Sequence, residues 1–398
     1  MTDASVGRAS VPSGASKGKL EALELRDGDK KRFHGKGVSK AVSNINRIIG
    51  PRMVGLECSD QGKIDRTMIS LDGTRNKSRL GANAILAVSM ATAWASANAR
   101  LVSLFRQLKP SSNYTLPVPM MNVINGGEHA GNYLAIQEFL VEPIGSDDCT
   151  EAIRTGAEVY QSLKEVLTDE YGRGAINVGD EGGFAPPLRK TRDALGAIRK
   201  SIRVAGYTEK DVRMGIDAAS STFYDRKTGR YTLDGRRLDW TKLEDFYLAL
   251  KDEYNLLTIE DPFEEGSFDP FASITRRLGK NTVIIGDDLY VTNVRLIRKG
   301  TKAKATNAVL IKLNQIGTVT ETQRAIEECA RANWEAVVSH RSGETGDPFI
   351  AHLATAYGAS FIKTGAPARG ERVAKYNELL RIDEELGIKA RFAGRAFR

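Results

Sequence analysis

The stretch NAVLIKLNQIG, Asn307–Gly317, sets a lysine inside a short apolar run. As a strand it would point Val309, Ile311 and Leu313 to one side and Leu310, Lys312 and Asn314 to the other. Neither side reads as a solvated face. An ammonium group in a dry site is costly unless a carboxylate pairs with it or its pKa falls. Lys312 is therefore either neutralised by an acid or kept for chemistry. The same pattern recurs along the chain in VRMGID, LLTIED, VIIGDD, AVVSH and SFIK, whose strand-end polar residues are Asp217, Glu260, Asp287, His340 and Lys363. With Lys312 in its place, the successive spacings are 43, 27, 25, 28 and 23 residues, the length of a βα unit. Segments such as TVTETQRAIEECARANW, with Thr318 or Thr320 available as a cap, supply the helices between.

Repeated βα units over roughly 250 residues predict a (β/α)8-type barrel, whose catalytic groups project from the carboxyl ends of its strands. An open doubly wound sheet gives the same local pattern, but no GxGxxG or Walker motif opens any helix, so its nucleotide-binding versions lose support. Ahead of the barrel, a glycine-rich start, VPSGASKGK, and the helical stretch GANAILAVSMATAWASANARLVSLFRQL predict a smaller α+β domain over residues 1–115. The stretch KPSSNYTLPVP reads as a linker ending near Pro119. The barrel then occupies residues 116–398.

The chain has 398 residues, enough for two domains, and 58 Lys and Arg against 50 Asp and Glu give a formal charge of +8. Spread over this length, that excess fits solvated loops such as KGTKAKA and DRKTGR and does not call for nucleic acid. The three cysteines, Cys58, Cys149 and Cys329, are widely spaced with no CxxC, which indicates neither a disulfide framework nor a zinc site. No apolar run reaches the roughly 18 residues of a membrane helix, and no signal-peptide pattern opens the chain. A cytoplasmic protein without a membrane role is expected.

Three acids at three strand ends, Asp217, Glu260 and Asp287, would repel one another without a cation, and their oxygen ligands suit a hard ion such as Mg²⁺. Lys312 and Lys363 near that ion would depress one another's pKa and favour a neutral lysine base. His340, Arg341 and Ser342, in SHRSGETGDP, add a cationic hydrogen-bonding loop suited to a phosphate. NVGDEGGFAPP surrounds Glu181 with glycine and proline, and NVINGGEHAGNYLAIQEF contributes His129, Gln137 and Glu138. The ensemble describes a site for an anionic substrate.

The stretches SGAS, EALELRDGD, NVINGGEHAGN, QEF, GDEGGFAP, IEDPF, GDDLYVTN, KLNQIGT, SHRSGET and IKTGAPARGER, in order from about Gly7 to the C-terminus, resemble the enolases, the glycolytic 2-phosphoglycerate dehydratases. The resemblance implies a Mg²⁺-dependent lyase that interconverts 2-phosphoglycerate and phosphoenolpyruvate in glycolysis and gluconeogenesis. It implies that Asp217, Glu260 and Asp287 bind the tighter of two Mg²⁺ ions, with Ser16 reaching the second. It further implies that Lys312 takes the C2 proton and that Glu181, helped by Glu138, protonates the leaving hydroxyl. Lys363 would contact the substrate carboxylate and Arg341 and Ser342 would hold the phosphate. His340 and His129 would complete the pocket, with Gln137 lining it.

Two departures from the family pattern stand out. Enolases usually begin with two strands and a DSRGNPT-like segment ahead of the strand that leads into SGAS, whereas this chain starts MTDASVGRAS. One unpaired strand is expected where the family has a sheet of three, with the family's homodimer or higher homo-oligomer weakened. In SGASKGK, Lys17 stands where the family commonly has Thr. A catalytically impaired binding or structural protein is the competing expectation.

Overall fold

The structure is a computed structural model that describes residues 5–14 and 18–398. Its centre is a closed barrel of eight strands. In chain order these are β1 (Val118–Asn125), β2 (Glu138–Glu142), β3 (Arg213–Asp217), β4 (Thr258–Glu260), β5 (Val283–Gly286), β6 (Ala308–Ile311), β7 (Glu335–Ser339) and β8 (Phe361–Lys363). Each pairs with its neighbour in sequence, and β8 closes on β1. All pairs are parallel except β1–β2 and β2–β3, which are antiparallel. A uniform βα reading does not anticipate that reversal. It follows from the Asn125–Glu138 connection, which carries only a short 3₁₀ turn at Gly127–His129 and no crossover helix.

Strands buried on both faces read as continuous apolar runs. β1, β2, β5 and β6 are buried at every position. Between β2 and β3 come two helices, Cys149–Tyr171 and Thr191–Val204. The long interval between Asp217 and Glu260 holds a small sheet, Tyr224–Asp225, Arg230–Leu233 and Arg236–Leu238, ahead of helix Trp240–Tyr254. Of the two expected caps for helix Val319–Arg331 it is Thr318 that serves, accepting from the Glu321 amide. β6 ends at Ile311, one residue before Lys312, and Leu313–Ile316 form a helical turn. The alternation expected to run on through Asn314 is cut short there.

The first part of the chain forms helices around its own cluster of Ala41, Ile49, Ile64, Met68, Leu80, Ala84 and Ile85. Helix Ala82–Ala99 belongs to both cores. Ala84 and Ile85 face the small cluster while Leu86, Met90, Ala93 and Ala97 join the barrel's core, so it is apolar nearly all round. The expected single helical stretch breaks after Ala99, at Leu101, whose φ is +52°, and resumes at Leu104–Leu108. Buried Asp65 ties the two parts together. It accepts from Ser89 Oγ at 2.7 Å and from the Thr320 amide at 2.9 Å, satisfying a free amide in the first turn of helix Val319–Arg331.

Two expectations are corrected here. The stretch read as a linker to Pro119 is structured, because Tyr114–Leu116 pairs in parallel with Ala390–Phe392 and β1 begins at Val118. The segment before SGAS forms no strand among the described residues and does not lack lateral bonds, since the Ser10 amide donates to Asp347 Oδ2 at 2.8 Å and its carbonyl accepts from Thr345 Oγ1 at 3.2 Å. Ser13 exchanges two backbone hydrogen bonds with Gly343, at 2.9 and 2.8 Å. Downstream, residues 18–28 form a strap tied to Gln315, Asn76, Ala82, Gly37 and Gly35 by backbone hydrogen bonds.

Candidate active site

The strand ends deliver their charged residues to one mouth of the barrel. Asp217, Glu260 and Lys363 are the last residues of β3, β4 and β8. Asp287, Lys312 and His340 follow immediately after β5, β6 and β7. Because β2 runs the other way, its first residue, Glu138, lies at the same mouth, in register with Asp217. All of these but Glu260, which lies beneath Lys363, line one cavity with His129, Gln137, Glu181, Arg341 and Ser342. A larger cleft of about 1050 Å³ lies between the strap and helices Val294–Ala303 and Val319–Arg331 and contains none of these strand-end groups.

The mouth is drawn in by its own charges. Lys363 Nζ lies 2.8 Å from Asp217 Oδ2, 2.8 Å from Glu260 Oε2 and 3.1 Å from Glu138 Oε2. Burial opposes its charge, but these acids hold its pKa well above the usual lysine value. Lys312 Nζ donates to Asp287 Oδ2 at 2.5 Å, and against the effect of burial that carboxylate raises its pKa. The expected neutral lysine is thus not what the described residues produce by themselves, because one acid at bonding distance outweighs a second ammonium farther off. The other Asp287 oxygen accepts from Gln315 Nε2 at 2.9 Å, and Thr292 Oγ1 orients Gln315.

The same pairing separates the expected metal triad. Among the described residues, the acid and histidine groups whose ligand atoms come within 4.8 Å of one another are His129–Glu138–Glu181 and Asp261–Asp287–Asp288. Asp217 and Glu260 pair with Lys363. The donor set nevertheless fits a hard cation. Glu260 is fully buried, its Oε1 has no hydrogen-bond partner, and burial with the nearby Asp217 charge raises its pKa well above the carboxylate range. Such an orphaned buried oxygen calls for a counter-ion. Ser16, expected at a second ion, lies outside the described residues.

A second group of titratable side chains adjoins Lys363 through Glu138. Glu181 Oε2 accepts from Asn122 Nδ2 at 3.0 Å and faces His340 Nε2 at 3.3 Å, while Oε1 lies 3.6 Å from His129 Nδ1. His129 Nδ1 is also 3.8 Å from Glu138 Oε1. Burial works to raise Glu181, but His340, His129 and Arg372 outweigh it and hold its carboxyl well below the usual range. Burial and then the Glu181 charge push Glu138 well above it. Opposed shifts of this kind are expected of two close carboxyls that share one proton. Gln137 is buried, its Oε1 lacks a partner, and its amide donates to the Asp217 carbonyl at 3.1 Å.

At the rim, Arg341 is engaged by the strap. Its Nη1 donates to Glu21 Oε2 at 3.0 Å and to Asn314 Oδ1 at 2.9 Å, and Nη2 donates to Glu21 Oε1 at 3.2 Å. Sequence reasoning passed over Glu21, Asp261, Asp288 and Arg372. Asp261 accepts the amides of both Asp287 and Asp288 at 2.9 Å. Burial, with Asp287 beside it, pushes Asp288 up to about 8. Each of the four lies within a quoted motif, and their adjacency to Glu260 in IEDPF and to Asp287 in GDDL was the available signal for the two aspartates.

The chain matches the family model described as "Enolase, N-terminal domain" over residues 1–108 and that described as "Enolase, C-terminal TIM barrel domain" over 113–398. It is 54% identical to a protein named Enolase from Methanocaldococcus jannaschii, covering 98% of this chain and 91% of that protein. A protein of the same name from Methanothrix thermoacetophila is 54% identical over the same shares. One from Thermococcus gammatolerans is 52% identical over 100% of this chain and 92% of that protein.

Proposed function

The chain belongs to the enolase family, and from that premise we propose a Mg²⁺-dependent phosphopyruvate hydratase that interconverts 2-phosphoglycerate and phosphoenolpyruvate plus water. The observation that carries the reading is the charge pairing at the mouth. Two lysines face acids from four strands, and a Glu181–His340–His129 group stands beside them.

The carboxylates of Asp217, Glu260 and Asp287 would hold one Mg²⁺, and Ser16 would serve a second. When bound, the cations supply positive charge that offsets the charge developing on the substrate carboxylate as C2 loses its proton. Lys312 removes that proton. With Asp287 held by the ion, Lys312 would lack the partner that raises its pKa, and burial would favour its free amine. Lys363 stays charged and neutralises the substrate carboxylate. On the other face, the shared proton of Glu138 and Glu181 passes to the departing C3 hydroxyl. Arg341 and Ser342 hold the phosphate, which takes the place of Glu21 on the guanidinium. His340 and His129 orient Glu181, and Gln137 lines the pocket.

Residues 1–115 act as the capping domain and 116–398 as the catalytic barrel, and assembly as a homo-oligomer follows the family. No helix among the described residues is long and apolar enough to cross a membrane, and a cytoplasmic setting follows the family reading. The alternative, a non-catalytic binding protein, draws no support from the mouth, where every expected group but Ser16 is described. The test is phosphoenolpyruvate formation from 2-phosphoglycerate, followed by ultraviolet absorbance with Mg²⁺ and with a chelator. Turnover that needs the metal supports the reading, and no turnover at saturating Mg²⁺ sinks it.

A further inference from the structure

Arg372 sits in the first turn of helix Gly370–Leu386 and is fully buried, although no substrate-facing role is assigned to it above. A buried guanidinium is retained only where its donors are used. Here they reach two loops at once. Nη1 donates to the Arg341 carbonyl at 2.6 Å, and Nη2 donates to the carbonyls of Ser342 at 2.6 Å and Asp180 at 3.2 Å. Nη1 also lies 2.6 Å from His340 Nδ1.

That last contact fixes more than position. A guanidinium has donors and no acceptor, so His340 Nδ1 must present its lone pair. The neutral ring then carries its proton on Nε2, which faces Glu181 Oε2 at 3.3 Å. The neutral form prevails, since burial, with Arg372 adding to it, pushes the imidazole down to about 3. Nε2 is not yet aligned for a hydrogen bond, as is common at catalytic contacts before substrate binds.

We propose that Arg372 is a positioning residue that fixes the His340 tautomer, so that the ring donates to Glu181, and that locks the Arg341–Ser342 loop to the Asp180–Glu181 loop. This rests on the dehydratase reading for its kinetic consequence but not for the tautomer. With the tautomer released, Nε2 would become a lone pair facing a carboxylate, and Glu181 would lose its orientation. The phosphate loop and the acid would then move independently.

The test is ¹H–¹⁵N long-range correlation on the full chain labelled with ¹⁵N-histidine, with His340 assigned by the signal lost in His340→Gln. The wild type should show a pyridine-type Nδ1 and a pyrrole-type Nε2. The opposite tautomer, or an equal mixture, would overturn the proposal without any variant having to fold and whatever the enzyme's activity. In Arg372→Met the tautomers should mix, and dehydration should fall about 10- to 100-fold, the range for partners that orient a functional histidine. Proton exchange at C2, which depends on Lys312, should be retained. Arg372→Lys, which can still donate to Nδ1, should recover part of the loss. Equal loss of exchange and dehydration, or an unchanged Nε2–H signal in Arg372→Met, would reduce Arg372 to packing. Absence of both activities in the wild type, with the expected tautomer present, would reject the dehydratase reading and leave the tautomer assignment standing.

Discussion

Lys312 bonds one carboxylate and Lys363 bonds three, and that difference separates their work. A cation that takes Asp287 would leave Lys312 without its acid, whereas one that takes Asp217 and Glu260 would still leave Lys363 paired with Glu138. Replacing Lys363 by Ala leaves three buried carboxylates facing each other, and breaking a buried pair costs about 3–5 kcal/mol. The melting midpoint of Lys363→Ala should therefore fall in chelator and recover in part with Mg²⁺. A midpoint insensitive to Mg²⁺ would mean that the acids do not gather a cation. Glu181→Gln should keep C2 exchange and lose dehydration if, as proposed, the proton shared by Glu138 and Glu181 acts on the C3 oxygen in a separate step, and joint loss of both would remove that division. At this scale the sequence was informative about charge and silent about pairing. Lys312 was visible as a cation ending an apolar run, but the Asp287 that raises its pKa lies on another strand. Arg372 was hidden because an arginine at a helix start ordinarily faces water.

Six strand ends were legible because an apolar run closing on a charge is a local pattern. β1 and β2 were not, since an antiparallel pair joined by the 125–138 loop leaves no βα period to read. The cost of that miss was the reason Glu138 lies at the mouth, which depends on β2 running backwards. Glycine at 215, in β3, belongs to the same corner. A Cβ there would lie 2.1 Å from Thr258 Oγ1 and 2.6 Å from Glu142 Oε1, so Gly215→Ala must displace the Thr258–Glu142 hydrogen bond of 2.5 Å. Such overpacking costs about 1–3 kcal/mol. Denaturant unfolding should show a lower midpoint for Gly215→Ala, and an unchanged midpoint would mean that the β2–β3–β4 corner has slack.

Glu142, at the far end of β2 from Glu138, makes the stability of the whole molecule depend on pH. It is fully buried with Oε2 lacking a partner, and burial raises its pKa from 4.5 to about 7. Between those values the folded protein holds a proton that the unfolded chain has lost, so stability falls as pH rises through that window. The contribution amounts to about 3 kcal/mol. Glu142→Gln, which can still bond Thr258, should match the wild type near pH 4 and melt higher at pH 8. Parallel pH profiles for the two proteins would assign the effect elsewhere. The joining of the two cores through Asp65, Ser89 and Thr320 likewise escaped sequence reading, because it spans some two-thirds of the chain and rests on residues that look like ordinary caps.

Lys312, set just past β6 against Asp287, is proposed as the base of a 2-phosphoglycerate dehydratase. The most direct measurement is exchange of the C2 hydrogen of 2-phosphoglycerate with deuterated water, followed by NMR, in the wild type and in Lys312→Ala with Mg²⁺ present. Exchange is expected in the wild type and its loss in the variant, by at least the roughly 10²–10⁴-fold that a positioned base contributes, with substrate binding retained. Exchange at the wild-type rate in Lys312→Ala would contradict it.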